Sequence, residues 1–409
     1  MSGHGAERDF TVKYARPDDP ARVAAVVADI LVVSVDDGVR AANAYYWHRA
    51  QDLVKPVMAA IEAHHSPELR AAAALLLREP HSPAAWRAVR DLVAALLATE
   101  PDSVEELCDA AWTAVCRSRL DYHLGEQYDA EGPVDGATAQ SLAAPSPSRS
   151  GPDPLVLVVI PFRDRSEGGE RARNLMACLR SLRDQTLEPE RYRVCVVESD
   201  ERPRWRELIA DHADDYVFAE KAGTFNKCWA VNVGVVNVAP DAPLICVLDA
   251  DSLVDRDFLR RNSERFQRAG TGAFIPFRDL FYLDARSSQR AIEERCVTGR
   301  PEAPSEALRA FVVHRPPGMC MWLRRDVFES VNGMDERYEG WGREDLEFVL
   351  RLQLATALLH FDDPMLHLNH PTSVELVDGQ TVNAHLPFLS WAPTEPIGRL
   401  DRFAQGTGR

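Results

Sequence analysis

Two aspartates one residue apart, Asp249 and Asp251, close the apolar run LICVLDAD at 244–251. Alternate residues of an extended backbone share a face, so this spacing predicts two carboxylates converging near one ligand, directly or through water. Hard oxygen donors suit magnesium or manganese, and either ion also takes diphosphate oxygens. Further on, LHLNHP carries His367 and His370, each able to supply a nitrogen ligand. Manganese accepts a mixed carboxylate, imidazole and phosphate shell more readily than magnesium does. A solvated aspartate turn and ordinary hydrogen-bonding histidines have the same spacing, so the residues alone leave both readings open.

A second acidic group stands in GWGREDLEF at 340–348. Gly340 and Gly342 permit positive φ and close approach, and Trp341 offers a broad apolar ring for a sugar. Glu344 and Asp345 open an amphipathic helix at its positive end. Asp345 could remove the proton of an acceptor hydroxyl while Glu344 orients sugar hydroxyls; helix capping by acids is the alternative. Upstream, Arg163 and Arg165 in PFRDR could bind phosphate through guanidinium donors. Glu198 and Asp200 follow a second apolar run and could contact a nucleoside, and Lys227 begins a helical segment that could approach it. The glycines in SEGGERAR fit neither GxGxxG nor a Walker loop, which counts against a dinucleotide or ATP-binding enzyme.

These residues need a scaffold. LVLVVIP at 155–161, RVCVVES at 193–199, YVFAE at 216–220 and the run at 244–251 are short apolar stretches separated by helical segments. That alternation predicts a mostly parallel sheet covered on both faces, with a site at the carboxyl ends of its strands. A helix near 344–359 would bury Leu346, Val349, Leu350, Leu354 and Leu358. Residues 20–120 read differently, as helices over 20–33, 41–63, 68–78, 83–98 and 103–119. Ser82–Pro83 is an N-cap followed by proline, Ser103 and Glu106 have capping-box spacing, and Pro56 would bend or divide its helix. Proline, glycine and serine mark 129–154 as a linker or mobile loop. The expected organisation is a mainly helical domain at 1–128, that linker, an α/β domain at 155–375 and a C-terminal extension at 376–409.

The chain has 409 residues and a formal charge of −16, which argues against broad contact with nucleic acid but not against an acidic substrate. No run approaches the length of an apolar membrane span, and MSGHGAERDF lacks a signal-peptide pattern. The 8 cysteines form no CxxC pair and several lie in apolar runs, as expected of free thiols in a reducing compartment.

The ordered set VVIPFRDR, NLMACLRSLRDQT, VVES, FNKCWAVNVG, ICVLDAD and GWGREDLEF resembles metal-dependent GT-A glycosyltransferases. The likeness is to the broad family-2 type with a galactosyl- and N-acetylgalactosaminyltransferase C-terminal motif, over about 155–375. It implies an α/β, Rossmann-like nucleotide-sugar domain preceded by the helical domain. By this resemblance Pro161, Phe162 and Arg163 begin the nucleotide pocket, and Glu198 approaches the base or ribose. Arg165, Lys227, Asp249, Ala250, Trp341 and Gly342 complete the donor side. Asp251 is the leading metal ligand, joined by His370 with His367 as the alternative, while Asp249 meets the ribose, the metal or a metal-bound water. Glu344 matches the sugar-contacting acid and Asp345 the base of inverting members.

The resemblance further implies a hexosyl- or N-acetylhexosaminyltransferase using Mn2+, with Mg2+ as alternative. Its donor would be UDP-galactose, UDP-N-acetylgalactosamine or UDP-N-acetylglucosamine, and its acceptor a hydroxyl-bearing glycan, glycoconjugate or small molecule. Without an anchor, the match is to a cytoplasmic enzyme of bacterial type. The helical domain carries no motif of the family; acceptor binding, homodimer formation and packing against the catalytic domain all fit it. Two other functions compete: a nucleotidyltransferase, and a carbohydrate-binding or assembly protein on a noncatalytic fold.

Overall fold

A computed structural model describes residues 15–42, 44–132, 136–143, 151, 153–371, 376–377 and 380–403. They form two compact units, one of residues up to Arg40 with Tyr46–Tyr122, the other of Ala41–Tyr45 with the chain from His123 onward.

The first unit is helical. Pro20–Val35 is its central helix, with Val26, Val27, Ile30 and Leu31 buried, and Pro83–Thr99 and Pro101–Ser118 pack against it. Ser82 Oγ accepts from Ala85 N at 3.2 Å and Pro83 fills the first helical position, as its sequence predicts. The capping box expected at Ser103 does not form: the helix already starts at Pro101, and Ser103 Oγ donates to Glu100 O at 2.7 Å. Pro56 lies inside Ala44–Ala63, which continues through it.

The chain then enters β1 (Leu120–Leu124), at the boundary of the units. The second unit holds β2 (Val156–Phe162), β3 (Tyr192–Glu198), β4 (Asp215–Phe218), β5 (Leu244–Leu248), β6 (Ser252–Leu253), β7 (Ala273–Ile275), β8 (Asp279–Leu283), β9 (Arg309–His314), β10 (Cys320–Arg324), β11 (Leu358–His360) and β12 (Met365–His367). The main sheet runs β11-β7-β10-β5-β2-β3-β4. Strands β5, β2, β3 and β4 are parallel, and β10 is antiparallel to both its neighbours. Every residue of β2 and β5 is buried, which is why both read as unbroken apolar runs. A smaller sheet contains β9-β8-β12-β6 in that order. A mainly helical region thus precedes a Rossmann-like mixed α/β domain.

Two expectations need correction here. The segment 129–154 contains a short helix, Ala139–Leu142, closed reciprocally by Thr138 and Ser141, with Leu142 in the core. The later helix spans Glu344–Ala355 and turns Leu346 and Leu354 outward, at 40% and 76% exposure. Its inner face instead carries Phe348, Leu352 and a buried Glu347–Arg351 pair, whose Arg351 Nη1 also donates to Val331 O and Gly333 O. That pair satisfies itself, so a charged stretch can face inward. Leu358 belongs to β11.

All cysteines are free, with Cys246 Sγ 4.0 Å from Cys320 Sγ. No helix among the described residues is long and apolar enough to cross a membrane.

Candidate functional site

Asp249, Ala250 and Asp251 are the turn between β5 of the main sheet and β6 of the smaller one. Each sheet brings a partner to this turn. Antiparallel pairing sets Cys320 opposite Leu248, and Asp249 N donates to Met319 O at 2.9 Å. On the other side His367 is paired with Ser252, and Leu368 N donates to Asp251 O at 2.8 Å. Because the strand ends at Leu248, the two carboxylates do not follow the same-face rule of an extended chain. They enter two different clusters.

Asp251 joins His367 and His370, and one potential ligand atom from each lies within 4.8 Å of the others. Both histidines take part, where the sequence placed them as alternatives. His370 Nδ1 is 2.8 Å from Pro371 O; a carbonyl only accepts, so Nδ1 carries a proton and Nε2 is the atom turned to Asp251. That Nε2 is 2.8 Å from Asp251 Oδ2, and Asp251 Oδ1 and His367 Nδ1 are buried without a partner among the described residues. A proton on Nε2 satisfies that contact, while the unpartnered Asp251 Oδ1 and His367 Nδ1 leave ligand atoms that could hold a metal ion. Burial drives the His367 pKa down to about 4 despite Asp251, so its ring is neutral and basic near pH 7. Burial opposes ionisation of Asp251, but His367 and His370 outweigh it and hold the carboxyl well below its ordinary range. One carboxylate with two imidazoles fits manganese or another first-row divalent ion better than magnesium.

Asp249 turns to Lys227. The ammonium Nζ lies 2.8 Å from Asp249 Oδ1 and 3.1 Å from Asp345 Oδ1, bridging the two acids. Lys227 reaches them because Asn226 caps its helix, Lys227–Asn237, by accepting from Trp229 N at 2.8 Å. Burial alone would lower the lysine pKa; Asp249, Asp345 and Glu344 outweigh it and raise it well above the usual value. Burial, relieved in part by Lys227, brings Asp249 to about 6. Burial and the neighbouring Asp345 raise Glu344 to about 8, and its Oε2 has no partner. A Cβ on Gly318 would overlap Asp345 Oδ2, so glycine is required there for the acid to sit where it does. Met319 beside it has φ 87°, a left-handed value rare for a side-chain-bearing residue.

At the ends of β2 and β3 several expected ligand contacts are already committed within the chain. Phe162 is core, and Pro161 is buried beside it. Arg163 donates to the carbonyls of Ser199, Gly223 and Lys221 and lies over the Phe225 ring at 5.3 Å, so the donors read as phosphate-binding organise a loop. Burial and Arg165 lower the Arg163 pKa to about 10. Arg165 pairs with Asp200 at 2.5 Å and flanks a polar cleft shared with Ser166, Arg202 and Trp205. Glu198 accepts from Arg204 N, Trp205 N and the Tyr216 hydroxyl, tying down the loop after β3. Ala250 is half-buried against the core. Trp341 is half-buried, while Gly342 is buried at φ 108°.

Sequence reasoning missed the residues that orient the histidines. Tyr282 stacks on His367, ring centroids 4.3 Å apart. Asn174 Nδ2 donates to Leu368 O and Asn369 O, and Arg171 Nη2 donates to Pro371 O at 3.1 Å. The types of Asn174 and Arg171 carried no signal, because each acts on a backbone segment some two hundred residues away, at separations of 194, 195 and 200.

Residues 157–331 match glycosyl transferase family 2. Residues 316–370 match a family described as the N-terminal domain of galactosyltransferase. No curated protein matches the chain. Among solved structures the chain is similar to a mannosyltransferase from Pyrobaculum calidifontis in complex with GDP-Man and Mn2+, at 17% identity and TM-score 0.35, over 58% of this chain and 63% of that one. It is also similar to a Drosophila beta-1,4-galactosyltransferase 7 complex with manganese, UDP-Gal and xylobiose, at 18% identity and TM-score 0.31, over 53% and 71%. A third is S. aureus TarS, at 11% identity and TM-score 0.36, over 52% and 60%. The chain thus spans less than two thirds of the Pyrobaculum protein, 63% of its length.

Proposed function

Residues 157–370 make up a family-2-like GT-A glycosyltransferase domain with a galactosyltransferase-type C-terminal motif, and on that premise we propose that the protein transfers a sugar from a UDP-sugar to an acceptor hydroxyl with inversion. The observation that carries this reading is the split across Ala250. Asp251 joins two histidines in a metal-capable group, while Asp249 shares a half-buried lysine with Asp345.

Asp251, His367 and His370 would hold Mn2+. When bound, that ion supplies positive charge for the diphosphate of the donor. The remaining roles belong to the chain. Asp345 takes the proton of the acceptor hydroxyl. The freed oxygen bonds to the anomeric carbon as the bond from that carbon to UDP breaks, and the electron pair leaves with UDP. Lys227 keeps a positive charge between Asp249 and Asp345 and would hold both carboxylates in place. Glu344, largely protonated below about 8, can donate a hydrogen bond to a sugar hydroxyl. UDP-galactose and the UDP-N-acetylhexosamines are the proposed donors, from the galactosyltransferase-type motif.

The test is UDP release from a panel of UDP-sugars with Mn2+ and a mixed acceptor pool, coupled to product mass and anomeric configuration by NMR. One preferred donor giving an inverted glycoside supports the reading. A retained anomer rejects direct displacement. Pyrophosphate released from a nucleoside triphosphate would make the protein a nucleotidyltransferase. Sugar binding without turnover would make it a noncatalytic member of the fold.

A further inference from the structure

The turn ahead of Glu344 and Asp345 has an unusual backbone. Gly340, Gly342 and Arg343 all have positive φ, at 71°, 108° and 77°. Arg343 has a side chain, and such a conformation persists only where its surroundings impose it. The constraint comes from the C-terminal segment. Asn383 is 3% exposed, and its amide spans the turn: Nδ2 donates to Gly342 O at 3.0 Å and Oδ1 accepts from Glu339 N at 3.3 Å. Arg343 Nη1 donates to Ala384 O at 2.6 Å and its guanidinium lies 4.1 Å over the Phe388 ring. Thr381 fills the space a Cβ on Gly342 would need.

The same segment continues to the helix that carries Lys227. Trp229 Nε1 donates to Arg399 O at 2.9 Å, and Asn237 Nδ2 donates to Gly398 O at 3.0 Å. Phe403 meets the Trp229 ring edge-on at 4.8 Å. A Cβ on Gly398 would lie 2.6 Å from Asn232 O, so the strap approaches this helix as closely as glycine allows.

We propose that residues 381–403 form a strap fixing the turn before Asp345 relative to the Lys227 helix, with Asn383 as the positioning residue for that turn. The proposal rests on the reading of Asp345 as the base. Asn383 pairs with neither core nor sheet; both partners of its amide belong to the turn. Loss of that amide frees the backbone that aims Trp341, Glu344 and Asp345. It leaves the metal-capable group untouched, because Asp251, His367 and His370 are held by other contacts.

The full-length protein is compared with Asn383→Ala and Asn383→Asp, reading kcat and KM for UDP-sugar with Mn2+, thermal stability, and hydrogen exchange of the 339–343 amides. The expected result for Asn383→Ala is a kcat lower by about ten-fold or more, with KM for the donor within about two-fold and faster exchange at 339–343. Asn383→Asp keeps the acceptor for Glu339 N but turns a buried carboxylate oxygen toward Gly342 O, and should lose at least as much as Asn383→Ala. Unchanged kcat overturns the proposal. So does a loss of kcat that tracks a general loss of thermal stability and donor binding. If the wild-type protein releases UDP from no donor, the proposed reaction fails on its own. Exchange then still decides the clamp: faster exchange in Asn383→Ala supports it, and equal exchange overturns it.

Discussion

The Lys227 ammonium lies 3.1 Å from the Asp345 carboxylate, and the same ammonium reaches Asp249 at 2.8 Å. One half-buried cation therefore couples the first aspartate of the turn after β5 to the candidate base. Removing one partner of a buried charge cluster costs more than the pair contributes, because the remaining charges stay desolvated. Lys227→Met should lower stability by about 3 kcal/mol in denaturant unfolding and cut UDP release by about a hundred-fold. Wild-type stability in the variant would show that the ammonium does not compensate the two acids.

The histidine cluster makes a separate prediction. Asp251→Asn and His370→Ala should each remove tight Mn2+ binding in calorimetric titration, while Asp249→Asn should weaken it far less, since Asp249 lies with Lys227. Asn174→Ala should weaken it by about ten-fold, because Asn174 holds the carbonyls of Leu368 and Asn369 between the two histidines. Equal losses for Asp249→Asn and Asp251→Asn would restore a site in which both aspartates bind the ion directly.

The sheet was legible because β2, β3 and β5 are almost wholly buried, and buried parallel strands are written as unbroken apolar runs. The types of Asp251, His367 and His370 were legible as well. Their assembly was not, since it depends on β12 pairing with β6, a register set over more than a hundred residues of chain. Lys227 was visible only as a cation near a helix start; its bond to Asp345 spans 118 positions. Arg163 had the right chemistry for phosphate, but its donors go to the backbone carbonyls of Ser199, Gly223 and Lys221. Leu346 and Leu354 misled because periodicity cannot reveal that the Glu347–Arg351 pair neutralises itself and turns inward.

Gly318 offers a test that adds atoms instead of removing them. A Cβ there would lie 2.1 Å from Asp345 Oδ2, in the first turn of the helix Glu344–Ala355, so the carboxylate must shift. Gly318→Ala should displace the Asp345 carboxylate and lower kcat by about a hundred-fold, with Mn2+ affinity unchanged. Turnover at the wild-type rate would mean that Asp345 is free to sit elsewhere during the reaction and that the observed position is not the working one.

Glu344 gives the pH prediction. Burial and the adjacent Asp345 raise its pKa to about 8, above the ordinary glutamate value of 4.5. The folded protein therefore holds a proton that the unfolded chain releases near its ordinary value. Its stabilising contribution is complete below the unfolded pKa and is lost as pH rises through the folded one. Over that window stability should decline by up to about 1.4 kcal/mol per pH unit from this group. Glu344→Gln is neutral at every pH and removes that decline. Its unfolding free energy relative to wild type should start flat near about pH 4 and rise in its favour until about pH 8, then level off. The activity has a parallel signature. If protonated Glu344 donates to a sugar hydroxyl, wild-type turnover falls as pH passes about 8, while Glu344→Gln, with an amide donor in the same place, keeps a flat alkaline limb. Parallel stability curves across the range would place the ordinary carboxylate of Glu344 in contact with water, and a shared alkaline limb would move the titrating group elsewhere.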